Sequence, residues 1–445
     1  MPPQEKPPLL VFDRIKGHAP GYRVATNLVN TPRRAALALG LPVDLGRVEL
    51  VKLWKEKVKS LKPIPPVETS TGPVLQNRLT GDKVDATRFP APTWHELDGG
   101  PYLGTACMVI MRDPEHAEWV NVGTYRVQVH GPNKLGLYIS PGHHGRIICE
   151  KYWASGRNCP VAVTFGQEPA TWIASAYAVP VLMSEYEWAG WARGAPVEVV
   201  KGPLTGLPIP ATAEVAVEGE VPPLSEEAMT EGPFGEWPGY YAHGAAKEPV
   251  IRVTSVMYRD DPIIAGAPPL RPPHMTIGLP FGAAAIWEEL EKMGIPDVRG
   301  VWTYSSSPSS GGGQLFIVIS IKQRYAGHAM QAATVALGGR AGAYFGRFVV
   351  VVDEDIDPTD IHQVIWALST RCDPSGTMEV VRSAWSTRLD PMIPPAKKAH
   401  GELTNSRAII IACRPFHWIS EFPPVNAISP ALRRKVEEKW PHIFS

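Results

Sequence analysis

Trp119-Val-Asn-Val-Gly-Thr-Tyr-Arg-Val-Gln-Val-His130, then Gly-Pro-Asn-Lys, then Leu135-Gly-Leu-Tyr-Ile-Ser140 is the stretch on which the fold turns. Branched and aromatic residues crowd the two runs, and turn formers separate them, which is how strands joined by tight turns read. The pattern continues outward on both sides, at 102–111 and then at 161–165, 197–201, 213–217 and 250–258. Short strands divided by Gly, Pro and Asn predict a β-barrel or sandwich over residues 100–265.

The flanks read differently. Helix-like stretches at 32–41 and 48–61 are followed by the joint Lys62-Pro-Ile-Pro-Pro66. Beyond about residue 280, helices at 283–293, 327–337 and 360–370 alternate with apolar strands at 315–321, 348–352 and 408–412. Continuously apolar strands between helices predict a sheet covered on both faces. Ser429-Pro430 is a good cap and first-turn pair for a last helix ending near Trp440. The run 305–313 reads as a short mobile loop, and no internal repeat is found. The chain is therefore α+β: an N-terminal α/β segment (1–98), a central β-barrel or sandwich (99–280), a C-terminal α/β domain (281–425) and a helical tail (426–445).

Composition excludes several classes. Lys+Arg and Asp+Glu balance at 44 each in 445 residues, so no net field draws the chain to nucleic acid or an anionic membrane. Cys107, Cys149, Cys159, Cys372 and Cys413 show no C-x-x-C spacing, which argues against a disulfide framework or zinc ribbon and fits a reducing cytoplasm. Met1-Pro-Pro-Gln-Glu-Lys6 lacks the pattern of a signal peptide, and no apolar run is long enough to span a bilayer. The expectation is a soluble cytoplasmic protein. Its 47 prolines imply many ordered, non-helical connections.

Glu231-Gly-Pro-Phe-Gly-Glu236 is the densest chemical signal. Gly232, Pro233 and Gly235 argue against a helix, so a stiff loop aims both acids at one place. Such a pair suits a site where one acid holds a proton and the other a charge. Asn121 and Arg126 would face opposite ways along a regular strand, and Gly123 is a plausible bulge between them. Pro141-Gly-His-His-Gly-Arg146 reads as a turn and matches no zinc motif. Glu185-Tyr-Glu187, if extended, presents its two acids at a spacing where one can be a ligand and the other solvated. Asn, His and Glu together make a hard donor set, better suited to Mn²⁺ or Mg²⁺ than to structural zinc. The Gly-rich runs 309–313 and 338–342 match neither a dinucleotide fingerprint nor a P-loop. The acidic run Asp353-Glu-Asp-Ile-Asp357 reads as a strand-end turn capping the next helix at Thr359 or Asp360.

These blocks, in this order, resemble the UbiD family of prenylated-flavin-dependent decarboxylases. The likeness runs over nearly the whole chain, and further blocks at 185–201, 210–219, 320–329 and 364–371 carry it too. It implies a split barrel holding prenylated FMN and a C-terminal domain used in dimer formation, with hexamers left open. It implies that Asn121, His144 and Glu185 hold Mn²⁺ (or Mg²⁺) with the flavin phosphate, with His143 beside that phosphate. Glu185 is preferred over Glu187 by its distance from Gly190. Ser175 matches a position that helps hold K⁺ in some members. The catalytic trio falls on Glu231, Arg126 and Glu236, the last being Asp in some members. By this reading Arg126 orients the substrate carboxylate, Glu231 keeps Arg126 in place and Glu236 protonates the product carbon. The implied substrate is an aromatic, heteroaromatic or α,β-unsaturated acid, a phenolic or heteroaromatic one before a plain cinnamate. Arg271 and His274, in Ala267-Pro-Pro-Leu-Arg-Pro-Pro-His274, are candidates for a second polar group on it. A flavin prenyltransferase would supply the cofactor. Two rival readings are a non-catalytic flavin-binding or assembly protein of the same fold and an ordinary FMN oxidoreductase. The trio argues against the first, and the missing dinucleotide fingerprint against the second.

Overall fold

A computed structural model describes residues 7–242, 244–271, 277–306 and 313–443. The helix Pro32–Ala38 opens on Thr31, whose side chain accepts from Arg34 N, and carries Pro in its first turn. It is shorter than predicted, because Leu39 leaves the helical region and Gly40 takes φ +63°. The helix Arg47–Lys59 buries Leu50, Val51 and Trp54, and Trp54 meets Phe281 of the helix Phe281–Lys292 at 5.0 Å between ring centroids. That contact locks the N-terminal segment onto the C-terminal domain.

The central sheet has ten strands. Its main path runs Tyr102–Gly104, Arg126–Gly131, Lys134–Tyr138, Ala246–Tyr258, Val215–Val221, Cys159–Phe165, Cys107–Arg112 and Val120–Gly123. The two edges of this curled sheet are close neighbours in the chain. Val120–Gly123 ends one edge, and after Thr124 and Tyr125 the chain re-enters beside the opposite edge as Arg126–Gly131. The barrel is therefore split, and a covalent link crosses the seam. Residues 102–111 and 119–130, each read as one run, are each two strands for this reason. Alternation along the strands places Val109, Met111, Val161, Val163, Val215 and Val217 in one interior core.

The C-terminal sheet runs Val298–Ser306, Gln314–Ile321, Phe348–Asp353, Thr404–Ala412, Met378–Trp385, with the middle three parallel. Helices His328–Gly338 and Ile361–Arg371 cover it, which is why the central strands read as unbroken apolar runs. The two outer strands were not predicted. Asp360 caps the second helix by accepting from His362 N at 2.9 Å, as the acidic run implied. Asp353, at the head of that run, is buried between Arg371 (2.9 Å) and Arg414 (3.1 Å). Ser429 caps Pro430–Lys439 through Leu432 N at 3.2 Å. Of the predicted mobile loop, residues 307–312 lie outside the described residues. Among the described residues no helix is long and apolar enough to cross a membrane.

Candidate active site

Arg126 begins the strand that follows the seam, and its register sets it opposite Tyr138. The guanidinium lies 3.9 Å from the Tyr138 ring centroid and 5.0 Å from that of Phe234, so aromatic faces flank a cation. Nε and Nη2 donate to the two oxygens of Glu231 at 2.7 and 2.9 Å, and Nη1 donates to Glu236 at 2.6 Å. Glu231 is 2 % exposed and Glu236 is 14 % exposed. Burial works against the charge on Arg126, but the two carboxylates more than offset it, holding the guanidinium above its usual range.

Glu231 ends the strand Ala228–Glu231, and the chain then turns through Gly232 at φ +78°, a conformation that glycine adopts without strain. Tyr102 donates to Glu231 at 2.8 Å, and Gly232 N donates to Gln128 at 3.2 Å. Burial and the Glu231 charge raise the Tyr102 hydroxyl, which therefore stays a donor. Glu236 is held by its own N–H, which donates to Tyr240 O at 2.9 Å.

The other pole lies across the seam. Asn121 and Arg126 are both brought to this region, but not by a bulge at Gly123. The strand ends there instead, and a Cβ on Gly123 would fall 2.3 Å from the Tyr125 ring, so glycine makes room for that ring. Tyr125 donates to Asn121 Oδ1 at 3.3 Å and accepts from Gly145 N at 3.1 Å. Asn121 Nδ2 and Val122 N donate to Glu185 at 2.8 and 2.7 Å.

Glu185 and Glu187 are not extended. They open the helix Glu185–Arg193, where Ser184 and Glu187 form a capping box and Glu187 accepts from Ser184 N at 2.8 Å. Glu187 is thereby committed to the cap, and the buried acid is Glu185. Burial pushes its carboxyl up to about 8, only partly offset by Val122 N and Asn121. A cation beside it would restore the charged form.

His143 and His144 likewise leave the predicted turn for a helix start: His143 stands at the N-cap position of His144–Ala154, without a side-chain bond to it. His144 packs edge-on to Trp119 at 5.2 Å, next to the strand that bears Asn121. Among the described residues no three His, Cys, Asp or Glu side chains cluster as a metal site, and the set at hand includes an amide. The direct Asn121–Glu185 contact and a buried carboxyl whose two hydrogen bonds only partly offset its burial fit a hard divalent cation.

A cleft of about 240 Å³ opens beside Arg126, lined by Thr124, Tyr125, Arg126, His143, Trp172 and Glu236 among others, while Asn121, His144 and Glu185 do not line it. Its mixture of rings, hydroxyls and a cation fits a planar heterocycle with polar edges. Ser175 is buried on the helix Pro169–Ala176; its hydroxyl donates to Trp172 O at 2.8 Å and its carbonyl accepts from Thr124 N at 3.1 Å. Arg271 is not in this cleft. It lines a neighbouring one, about 160 Å³, that shares Glu236 and Pro269 with the first. His274 lies outside the described residues.

Sequence reasoning missed Tyr102, Gln128, Tyr138 and Phe234. Gln128 was findable, being two residues from Arg126 on one strand face. The other three become neighbours through strand pairing and loop return, which single-sequence spacing does not show.

Three UbiD domains match in order: the N-terminal domain of 3-octaprenyl-4-hydroxybenzoate carboxy-lyase at residues 3–54, its Rift-related domain at 66–272 and its C-terminal domain at 275–412. The chain is 31 % identical to a phenolic acid decarboxylase of Bacillus subtilis over 89 % of this chain and 82 % of that one. It is 31 % identical to a pyrrole-2-carboxylic acid decarboxylase of Pseudomonas aeruginosa over 98 % and 90 %. It superposes on the UbiD-class enzyme HmfF from Pelotomaculum thermopropionicum, solved with FMN, with a TM-score of 0.81 and 30 % identity over 96 % of this chain and 89 % of that one. An evolved dimeric form of that enzyme, solved with prFMN, gives a TM-score of 0.76 and 28 % identity over the same 96 % and 89 %. With its three domains, curled barrel and paired acids accounted for, the chain belongs to the UbiD family and is a carboxy-lyase.

Proposed function

We propose that the protein catalyses the non-oxidative, reversible decarboxylation of an aromatic, heteroaromatic or α,β-unsaturated carboxylic acid, using prenylated FMN and Mn²⁺ or Mg²⁺. The observation that carries this reading is one buried guanidinium gripping two acids unequally beside a cleft. The relatives' phenolic and pyrrole acids favour a phenolic or heteroaromatic substrate. Prenylated FMN, when bound, supplies the electron sink for the charge left on carbon as CO₂ departs.

Asn121, His144 and Glu185 are the ligands for the cation, and His143 and Ser175 flank the phosphate, Ser175 with K⁺. Arg126 orients the substrate carboxylate through its remaining N–H groups. Glu231 fixes Arg126, and Glu236 gives a proton to the product carbon. One carboxylate and one proton become one C–H and one CO₂. Arg271, in the cleft behind Glu236, meets a second polar group on longer substrates. The chain co-expressed with a flavin prenyltransferase should release CO₂ from members of a panel of phenolic, pyrrole and furan acids. A protein carrying verified prenylated FMN and metal that turns over none of them overturns the reading.

A further inference from the structure

We infer that Asp98 is a positioning residue that holds Glu236 at its working distance from Glu231 and Arg126. This rests on the roles proposed above for the two acids.

The two ends of the acid loop are secured by different means. At the Glu231 end, Tyr102 holds the side chain and Gln128 the backbone of Gly232. The Glu236 end has no such strand to rest on: residues 232–234 lie outside regular structure, and Gly235 forms only an isolated bridge with Tyr241. Apart from the Glu236 N–H bond to Tyr240 O, what fastens it is the turn His95–Gly99. Asp98 Oδ1 accepts from Gly235 N and from the Tyr241 hydroxyl, both at 3.1 Å. Asp98 Oδ2 accepts from His95 N at 2.9 Å, which fixes the carboxylate within its own turn. Gly99 N donates to Pro233 O at 2.8 Å. One carboxylate thus ties together the residue before Glu236 and the aromatic residue that closes the loop. The approach is tight, since a Cβ on Gly99 would fall 1.9 Å from Gly232 O.

Asp98 does not touch Arg126 in any described hydrogen bond or ion pair. Its effect on chemistry must pass through the placement of Glu236, and positioned acids are sensitive to shifts of about 1 Å, which can cost about 100-fold in rate.

The test uses the flavin-loaded full chain with Asp98→Ala, Asp98→Asn and Tyr241→Phe. Asn keeps an oxygen for Gly235 N and Tyr241, so it should recover most of what Ala loses. Asp98→Ala is expected to lower kcat about 10- to 100-fold while leaving KM within about twofold. Its kcat–pH profile should be displaced on the limb that Glu236→Gln abolishes. Flavin affinity, read by fluorescence quenching, should stay unchanged in all three variants. Tyr241→Phe removes one of the two donors to Oδ1 and should show a smaller kcat loss in a chain that folds normally. If Asp98→Ala and Tyr241→Phe both keep wild-type kcat and pH profile while Glu236→Gln is inactive, the positioning role is wrong and the acid's role stands. If Glu236→Gln itself turns over normally, the functional reading fails first. A kcat loss in Asp98→Ala that Asn does not recover, accompanied by lost flavin binding, marks a general structural role and also overturns the proposal.

Discussion

Arg126 donates to both oxygens of Glu231, at 2.7 and 2.9 Å, but to only one oxygen of Glu236, at 2.6 Å. The two acids of one loop are therefore chemically unequal. Glu231 is chelated by the guanidinium and sealed from water. Glu236 makes no hydrogen bond through its second oxygen among the described residues, and it lines the cleft. A group held by one oxygen can deliver a proton from the other.

Glu236→Gln should therefore keep the flavin and lose turnover by about 10²- to 10⁴-fold, the range for a positioned acid. Product formation by the loaded enzyme checks this, and a wild-type rate would end the assignment.

Tyr102→Phe tests the sealed side. Removing its hydroxyl leaves Glu231 Oε1 with Arg126 alone, in a buried place. The expected cost is about 1–3 kcal/mol of stability, seen as a lower melting temperature. An unchanged melting temperature would show that the Tyr102 contact contributes nothing.

Metal content separates the poles. Asn121→Ala, His144→Ala and Glu185→Gln should each lower the bound Mn²⁺, measured by elemental analysis, and cofactor occupancy with it. Glu187→Gln should not, because Glu187 serves the helix cap. Equal metal content in all four variants would reject the ligand set.

A pH effect on stability is expected from His328. The ring is buried, and burial lowers its pKa below the ordinary value. The unfolded chain then binds the proton more readily, so stability is full above about pH 6.5 and declines as pH falls below it, down to the lowered folded value. Thermal melts between pH 8 and 5 should show a smaller decline in His328→Asn. Parallel curves for the two proteins would contradict this.

Much of this was legible before any coordinates. The strand runs, the covered C-terminal sheet and the caps at Asp360 and Ser429 follow from local patterning, because they depend on neighbours in sequence. The pairing of Arg126 with Glu231 and Glu236 was legible only through family likeness, since more than a hundred residues separate them. That the barrel is split came only through the family likeness, and where its seam falls was not legible at all. A chain that leaves one sheet edge and rejoins the other after Thr124-Tyr125 looks, in one dimension, like an uninterrupted strand. The helix starts at His144 and Glu185 were missed because their short polar openings mimic turns, although Ser184-x-x-Glu187 carried a capping-box signal.

The link Thr124–Tyr125 has a mechanical consequence. Asn121 rides on one lip of the torn cylinder and Arg126 on the strand next to the other lip, with this dipeptide as the stitch. The stretch from Gly123 to Arg126 reaches at most about 11 Å when fully extended, so the stitch limits how far the slit can gape.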